Sequence, residues 1–253
     1  MGSIVTIHSY RGGTGKSNVS ANLAAATALA GKRVAVIDTD IQSPGINLIF
    51  GFKQSDLRLT LNDYLGGKCG IRECAYDVST RTRVPPGQLF LIPSSLQYME
   101  IAKILKSGFD LNRMVEGFRQ IITELSLDLL FVDTHPGLGE ETMLYTVMSK
   151  LLVVLLRPDQ QDYLGTGVVV EVAKKLGVPQ IGLVVNKVLP QYRPEDVAAK
   201  IGAQYQAKVI GMLPFDAGVM ANESAQVMVI AQPEHPWSLA VKRLSAQVQE
   251  LTR

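Results

Sequence analysis

The sequence predicts an α/β fold, a mainly parallel twisted sheet with helices on both faces, and three observations carry that expectation. Short apolar runs alternate with amphipathic segments from Ser3 to the end of the chain, the pattern of repeated strand–helix units. The runs are apolar throughout rather than at every second position, as strands covered on both sides are. The chemically distinctive residues gather where the runs end.

The strand candidates are Ser3–His8 (SIVTIH), Arg33–Asp38 (RVAVID), Gln88–Ile92 (QLFLI), Asp128–Asp133 (DLLFVD), Leu151–Leu156 (LLVVLL), Gln180–Val185 (QIGLVV) and Lys208–Leu213 (KVIGML). Helix candidates fall between them at Ser17–Ala30, Leu96–Lys106, Leu111–Leu125, Glu140–Ser149, Gly165–Leu176 and Pro194–Gln206. From Trp237 to Leu251, the apolar residues Trp237, Val241, Leu244, Val248 and Leu251 recur every three or four positions, a single stripe suited to packing on the sheet. Phe52 to Pro86 is the least regular stretch, with Gly66-Gly67 and Pro85-Pro86 as breakers, and reads as a surface excursion.

At 253 residues, 47% hydrophobic and 19% charged, the chain can bury one large core, so residues 1–253 are expected to form a single domain. The net charge of +2 is too small for a dedicated nucleic-acid protein but compatible with a local cationic face. Cys69 and Cys74 are the only cysteines, which suggests neither a disulfide framework nor a zinc site and fits a reducing cytoplasm. The opening MGSIVTIHSY lacks a basic segment followed by a long apolar one, and no run approaches the roughly 18 apolar residues of a membrane span. A soluble, cytoplasmic protein is expected.

In Gly12-Gly13-Thr14-Gly15-Lys16-Ser17, followed by Asn18, glycines let consecutive amides turn inward around a phosphate, and the loop opens onto a helix whose positive end faces the same point. Lys16 would neutralise the β- and γ-phosphates of a nucleotide and the Ser17 hydroxyl would ligate Mg²⁺. The second strand ends in Asp38-Thr39-Asp40, two carboxylates able to divide their work between the metal's water shell and the attacking water. A further strand closes on Asp133, followed by Thr134-His135-Pro136-Gly137. Asp133 would hold the metal through water, and the Gly137 amide could sense the γ-phosphate.

Arg11-Gly12-Gly13-Thr14-Gly15-Lys16-Ser17, Asp38-Thr39-Asp40 and Asp133 to Gly137 together resemble the ParA/MinD family of deviant Walker A ATPases, almost from end to end. The resemblance implies a P-loop NTPase of the SIMIBI class that hydrolyses ATP with Mg²⁺, with Ser17, Asp38 and Asp133 serving the metal and Lys16, Asp40 and Asp38 the reaction. Gly211 to Asp216, with Val219 and Ala221 following, is similar to the family's adenine-side loop, so Pro214, Phe215 and Asp216 are expected at the base. Asn186 is similar to the residue that reads the adenine edge. On residues alone, Asn186 equally suits a helix cap or turn.

The family's signature lysine, which reaches across an ATP-bound homodimer to the partner's nucleotide, is Arg11 here. Arginine keeps the charge and adds a planar fork for phosphate oxygens, but its reach and hydration differ. Arg11 is expected to act in trans. Otherwise it is a solvated flank residue, or another cation takes over, with Lys150 the one to test, although Lys150 reads first as an ordinary surface lysine. Iron–sulfur members of the superfamily need cysteine at the dimer interface or a paired carboxyl-terminal motif, whereas here His135 occupies the loop after Asp133 and no cysteine follows Cys74. Kinase members end in a tyrosine cluster, and MinD proteins carry a basic amphipathic tail for which Lys242 and Arg243 are too few. Membrane binding is therefore not expected.

The resemblance leaves a positioning or partition ATPase that binds non-specific, nucleoid DNA in its ATP state and answers to a cargo-bound adaptor or activating protein. Cargoes of such proteins include plasmids, chromosomes and carboxysomes, and the carboxysome-positioning ATPases can depart from the signature lysine. Lys174, Lys175, Arg193, Lys200, Lys242 and Arg243 are the candidate DNA-facing cations. The alternative is a MinD-like regulatory nucleotide switch with little turnover.

Overall fold

The computed structural model describes residues 2–82 and 87–253, the Arg81 side chain excepted. Eight strands form one sheet: β1 (Ser3–His8), β2 (Arg33–Asp38), β3 (Tyr76–Asp77), β4 (Gln88–Ile92), β5 (Leu129–Asp133), β6 (Leu151–Leu156), β7 (Gln180–Val188) and β8 (Lys208–Pro214), in the order β3-β4-β2-β5-β1-β6-β7-β8. Every pairing is parallel except β3 with β4. The longer helices are α1 (Lys16–Leu29), α2 (Tyr98–Ser107), α3 (Leu111–Glu124), α4 (Glu140–Met148), α5 (Gln160–Lys175), α6 (Pro194–Tyr205) and α7 (Pro236–Leu251). Among the described residues, no helix is long and apolar enough to cross a membrane.

Alternate side chains of one strand feed different cores, which is why the runs read as uniformly apolar. Leu151, Val153 and Leu155 join the core beneath α1 and α7, whereas Leu152, Val154 and Leu156 join the one beneath α5 and α6. Ile4, Ala35, Ile37, Leu130 and Val132 meet Met114, Phe118 and Ile121 of α3 in a third cluster. The expected stripe of α7 packs as read, with Trp237, Val241, Leu244 and Val248 buried and Leu251 partly so. The α1 helix is buried along most of its length, and Ala21, Ala24, Ala25 and Ala28 leave room for a second helix layer upon it.

Two expectations on the elements need correction. Phe52 to Thr82 is more than a surface excursion: short helices at Leu61–Leu65 and Ile71–Cys74 bury Leu61, Tyr64, Ile71 and Cys74 against the α3 side of the sheet, and β3 adds an antiparallel edge. Each piece is too short to show a period. Pro85-Pro86 lies outside the described residues. The helix expected from Gly165 starts at Gln160, capped by Asp159, whose side chain accepts from the Asp162 amide at 2.9 Å. Gly165 and Gly167 look like breakers, but at Gly165 a Cβ would stand 2.0 Å from Tyr10 Cδ1. The glycine serves close packing of the loop on the helix, not a helix boundary.

Candidate functional site

The chain leaves β1 toward β2 on one side of the sheet, while β5 connects to β6 on the other side of β1. Such a reversal opens a crevice at the carboxyl ends of the strands. The loop Ser9–Gly15 fills its rim. Gly13 (φ 78°) and Gly15 (φ 88°) adopt the left-handed conformation that glycine permits, and Gly15 starts α1 with no side-chain cap. Among the described residues, the amides from Gly12 to Ser17 meet no protein acceptor, and the buried Thr14 hydroxyl has no partner. Donors held together with nothing to donate to, at a helix amino end, fit a polyanion.

Beneath the loop, Lys16 is buried with its Nζ 3.2 Å from Asp133 Oδ1. Ser17 Oγ donates to Asp133 Oδ2 and Ser20 Oγ to Asp133 Oδ1, both at 2.7 Å. Asp133 stands in register with Asp38 on the neighbouring strand. Asp38 is fully enclosed and accepts the amides of Asp40 (3.1 Å), Gly45 (3.0 Å) and Ile46 (3.3 Å). Burial, then the charge of Asp133, pushes its carboxyl up to about 7, against the pull of the Gly45 amide and Lys16. Among the described residues no three His, Cys, Asp or Glu side chains form a metal cage. Mg²⁺ requires none, because it usually keeps several waters and takes phosphate oxygens with one or two protein groups. Ser17, Asp38 and Asp133 suit such a role.

The second acidic position, Asp40, is tied to the loop after β5. Its Oδ1 accepts from His135 Nδ1 at 2.8 Å and from the Ser43 amide at 3.0 Å. Thr39 donates through its amide (2.9 Å) and hydroxyl (2.7 Å) to the Asp133 carbonyl, fastening the same two loops together. The Gly137 amide, expected to be a free sensor, instead donates to the Ser9 carbonyl at 3.2 Å. This bond joins the Asp133–Gly137 loop to the start of the glycine loop, so the amide becomes available only when the loop shifts. His8, unremarked in the sequence, is buried at the end of β1; Thr134 donates to the Ile7 carbonyl, so His8 Nδ1–H donates to Thr134 Oγ1 at 2.8 Å, leaving Nε2 without a partner. Burial, with Lys16 and His135 nearby, lowers the imidazole to about 3.

A cleft of about 210 Å³ adjoins the loop, sharing Gly15 with it and lined further by Asn18 of α1, Asn186, Lys187, Pro214, Phe215 and Asp216. The structure therefore brings the residues expected at a base together beside those expected at phosphate. Asn186 Nδ2 donates to the Thr14 carbonyl at 2.7 Å, and a Cβ on Gly15 would come 2.7 Å from that same nitrogen. Lys187 Nζ adds a bond to the Gly13 carbonyl at 2.9 Å. Asp216 is engaged as a helix cap, accepting the Gly218 amide at 2.7 Å, so its role at the cleft is to fix the loop that carries Phe215.

Arg11 lies half exposed, its Nε 4.0 Å from Asp162 Oδ1 on α5. Asp162 is already held by Arg157, whose Nε and Nη2 each stand 3.0 Å from its two oxygens. Arg157 follows β6 and was missed in the sequence; Lys150 precedes β6, reaches the Arg253 carbonyl, and sits at the opposite end of the sheet from the glycine loop. Lys150 is therefore no substitute for Arg11. Tyr10, Leu138, Met143, Val147, Leu164 and Val168 leave apolar surface exposed on the glycine loop, the approach to α4, α4 itself and α5.

The candidate DNA-facing cations do not gather as free charges. Lys174 donates to the Tyr205 carbonyl, Lys175 pairs with Glu171, Lys200 lies 5.9 Å from the Tyr163 ring centre, and Lys242 donates to the Pro233 carbonyl. Among the described residues, Arg193 and Arg243 have no side-chain partner.

A family model described as ParA, NUBPL iron-transfer P-loop NTPase, matches residues 1–249. An uncharacterized ATP-binding protein of Methanocaldococcus jannaschii is 31% identical over 247 residues, covering 96% of this chain and 86% of its own. An iron-sulfur cluster carrier protein of the same organism is 26% identical over 265 residues, covering 97% and 84%. Among solved structures, the septum site-determining protein MinD of Pyrococcus horikoshii, complexed with Mg-ADP, superposes with a TM-score of 0.83 at 22% identity, covering 99% of this chain and 97% of that one.

Proposed function

The chain belongs to the ParA family of P-loop NTPases, and from that premise we propose that it is a dimerising ATPase switch that binds ATP with Mg²⁺. One observation carries the reading: the loop of unpartnered amides and the 210 Å³ cleft share Gly15, and Asn18 from the first turn of α1 lines the same cleft, so a single nucleotide spans both. Phosphates take the amides from Gly12 to Ser17, and Lys16 exchanges Asp133 for them. Ser17, which donates to Asp133 in the free protein, would with Asp133 and Asp38 hold Mg²⁺, which would offset the phosphate charge. The base enters beside Asn186 and Phe215. In hydrolysis, water oriented by Asp40 bonds to the γ-phosphorus as the bond to the bridging oxygen breaks; the electron pair stays on ADP and the water's proton leaves with phosphate.

Arg11 and the exposed apolar rim of α4 and α5 suit a second copy, with Arg11 reaching the partner's phosphates. What the ATP-state dimer acts upon divides two readings. Positioning or partition of a cargo over DNA draws on cations from both protomers; Lys174 and Lys242 donate to backbone carbonyls, whereas Lys175 sits in an exposed pair with Glu171 and Arg193 and Arg243 have no side-chain partner among the described residues. Regulation through a protein partner is the second reading. Iron–sulfur transfer fits poorly: clusters take thiolates, whereas Cys74 is buried, its thiol pushed upward by burial and donating to the Thr60 carbonyl at 3.0 Å.

Co-sedimentation with random-sequence DNA, in ATP and in ADP, tests the division. ATP-dependent DNA binding that weakens steeply with salt selects positioning; its absence alongside intact ATP turnover selects the regulatory switch. Failure to bind ATP at all contradicts both.

A further inference from the structure

Asp40 Oδ1 accepts two donors, the Ser43 amide from its own loop and His135 Nδ1 from the loop after β5, whereas Oδ2 meets no protein donor among the described residues. A carboxylate accepts only, so the ring donates through Nδ1. Asp40 is 8% exposed and His135 40%, which places the pair at the boundary between the buried acidic cluster and the open crevice. Resting on the ATPase reading above, we propose that His135 is a positioning residue: it fixes the Asp40 carboxylate so that its unengaged Oδ2 takes the attacking water.

The geometry gives the bond its effect. The Ser43 amide alone lets the carboxylate turn about that single contact. A second donor on the same oxygen, from a different loop, holds the group from two directions and leaves the other oxygen open. Thr39 ties these loops together through backbone and hydroxyl bonds to the Asp133 carbonyl, so the His135 contact acts on a pair of segments already aligned. The His135 ring nitrogen bonds Asp40 rather than the glycine loop, and His135 does not line the base cleft, so its removal is expected to act on turnover rather than on affinity. Misplacing a reacting group by an ångström costs on the order of 100-fold in rate.

The experiment compares wild type, Asp40→Ala, His135→Ala, His135→Asn and the Asp40→Ala/His135→Ala double variant. It reads kcat and KM for ATP, ATP affinity by calorimetry, dimer fraction by light scattering and deuterium exchange across Thr39–Ser43. His135→Ala is expected to lower kcat about 10- to 100-fold, leave KM and affinity within about twofold, accumulate the ATP dimer and speed exchange in the Thr39–Ser43 segment. Asparagine, whose Nδ2–H occupies nearly the place of Nδ1–H, restores most of the rate. The double variant turns over no more slowly than Asp40→Ala, because both changes remove one function. Wild-type kcat in His135→Ala, no rescue by asparagine, or additive losses in the double variant each overturn the proposal. If Asp40→Ala collapses turnover and His135→Ala does not, this inference alone fails. If wild type and Asp40→Ala behave alike, the hydrolytic reading of Asp40 falls with it.

Discussion

Asp38 and Asp133 stand opposite each other in register at the carboxyl ends of β2 and β5, both buried, with Lys16 3.2 Å from Asp133. Two acids beside one ammonium leave the site short of positive charge. Burial, and after it the charge of Asp133, raises the Asp38 carboxyl, and the excess of acid suits the site to a divalent cation.

Removing one of the two acids is expected to stabilise the nucleotide-free protein. Because Asp38 is raised from 3.8 to about 7, the native state keeps a proton the unfolded chain has released, so its contribution falls as pH rises across that window. His8, lowered from 6.5 to about 3, acts oppositely: the unfolded chain takes a proton the native state refuses, and stability falls as pH drops. The two slopes offset each other between pH 3.8 and 6.5. In Mg²⁺-free urea unfolding, Asp38→Asn should match wild type near pH 4 and gain on the order of 1–3 kcal/mol at pH 7.5. A loss at pH 7.5 contradicts the charge account.

Lys16→Ala should weaken ATP binding at least about 100-fold, because the loop amides then face the phosphates without their main cation. Calorimetry measures it. Unchanged affinity removes the phosphate-loop assignment.

Asp40→Ala should bind ATP with near wild-type affinity while turnover drops by about two orders of magnitude or more. Phosphate release assays separate the two, and wild-type turnover would pass the catalytic role to Asp38.

Arg11 is tested by mixing inactive subunits. Arg11→Ala should bind ATP as a monomer, because Lys16 and the amides remain, but lose dimerisation and most hydrolysis. Arg11→Lys should recover part of both. Mixed with Lys16→Ala subunits, Arg11→Ala should regain partial ATPase activity, its competent nucleotide receiving Arg11 from the other subunit. No recovery, with normal dimerisation of Arg11→Ala alone, makes Arg11 a bystander beside Asp162.

What was legible in the sequence is what local pattern encodes. The strands and the glycine loop appear directly, since apolar runs and left-handed glycines are properties of neighbouring residues. A place for Asn186 at the base followed from a family resemblance, whereas its bond to the Thr14 carbonyl, and the part played by Lys187, one residue on at φ 59°, did not. Ser20 and His8 were missed because nothing local distinguishes a serine within a helix or a histidine at a strand end. Their roles come from β5, which enters the sheet between β1 and β2. Lys150 is the ordinary surface lysine favoured from the sequence: a residue before a parallel strand lies at the sheet's amino end, away from loops that follow strands.

The central claim, an ATP-switched dimer, is met most directly by the molar mass of Asp40→Ala in Mg-ATP and in Mg-ADP, measured by light scattering after gel filtration. Twice the 27.5 kDa chain mass is expected in ATP and the single-chain mass in ADP. The same mass in both nucleotides contradicts it.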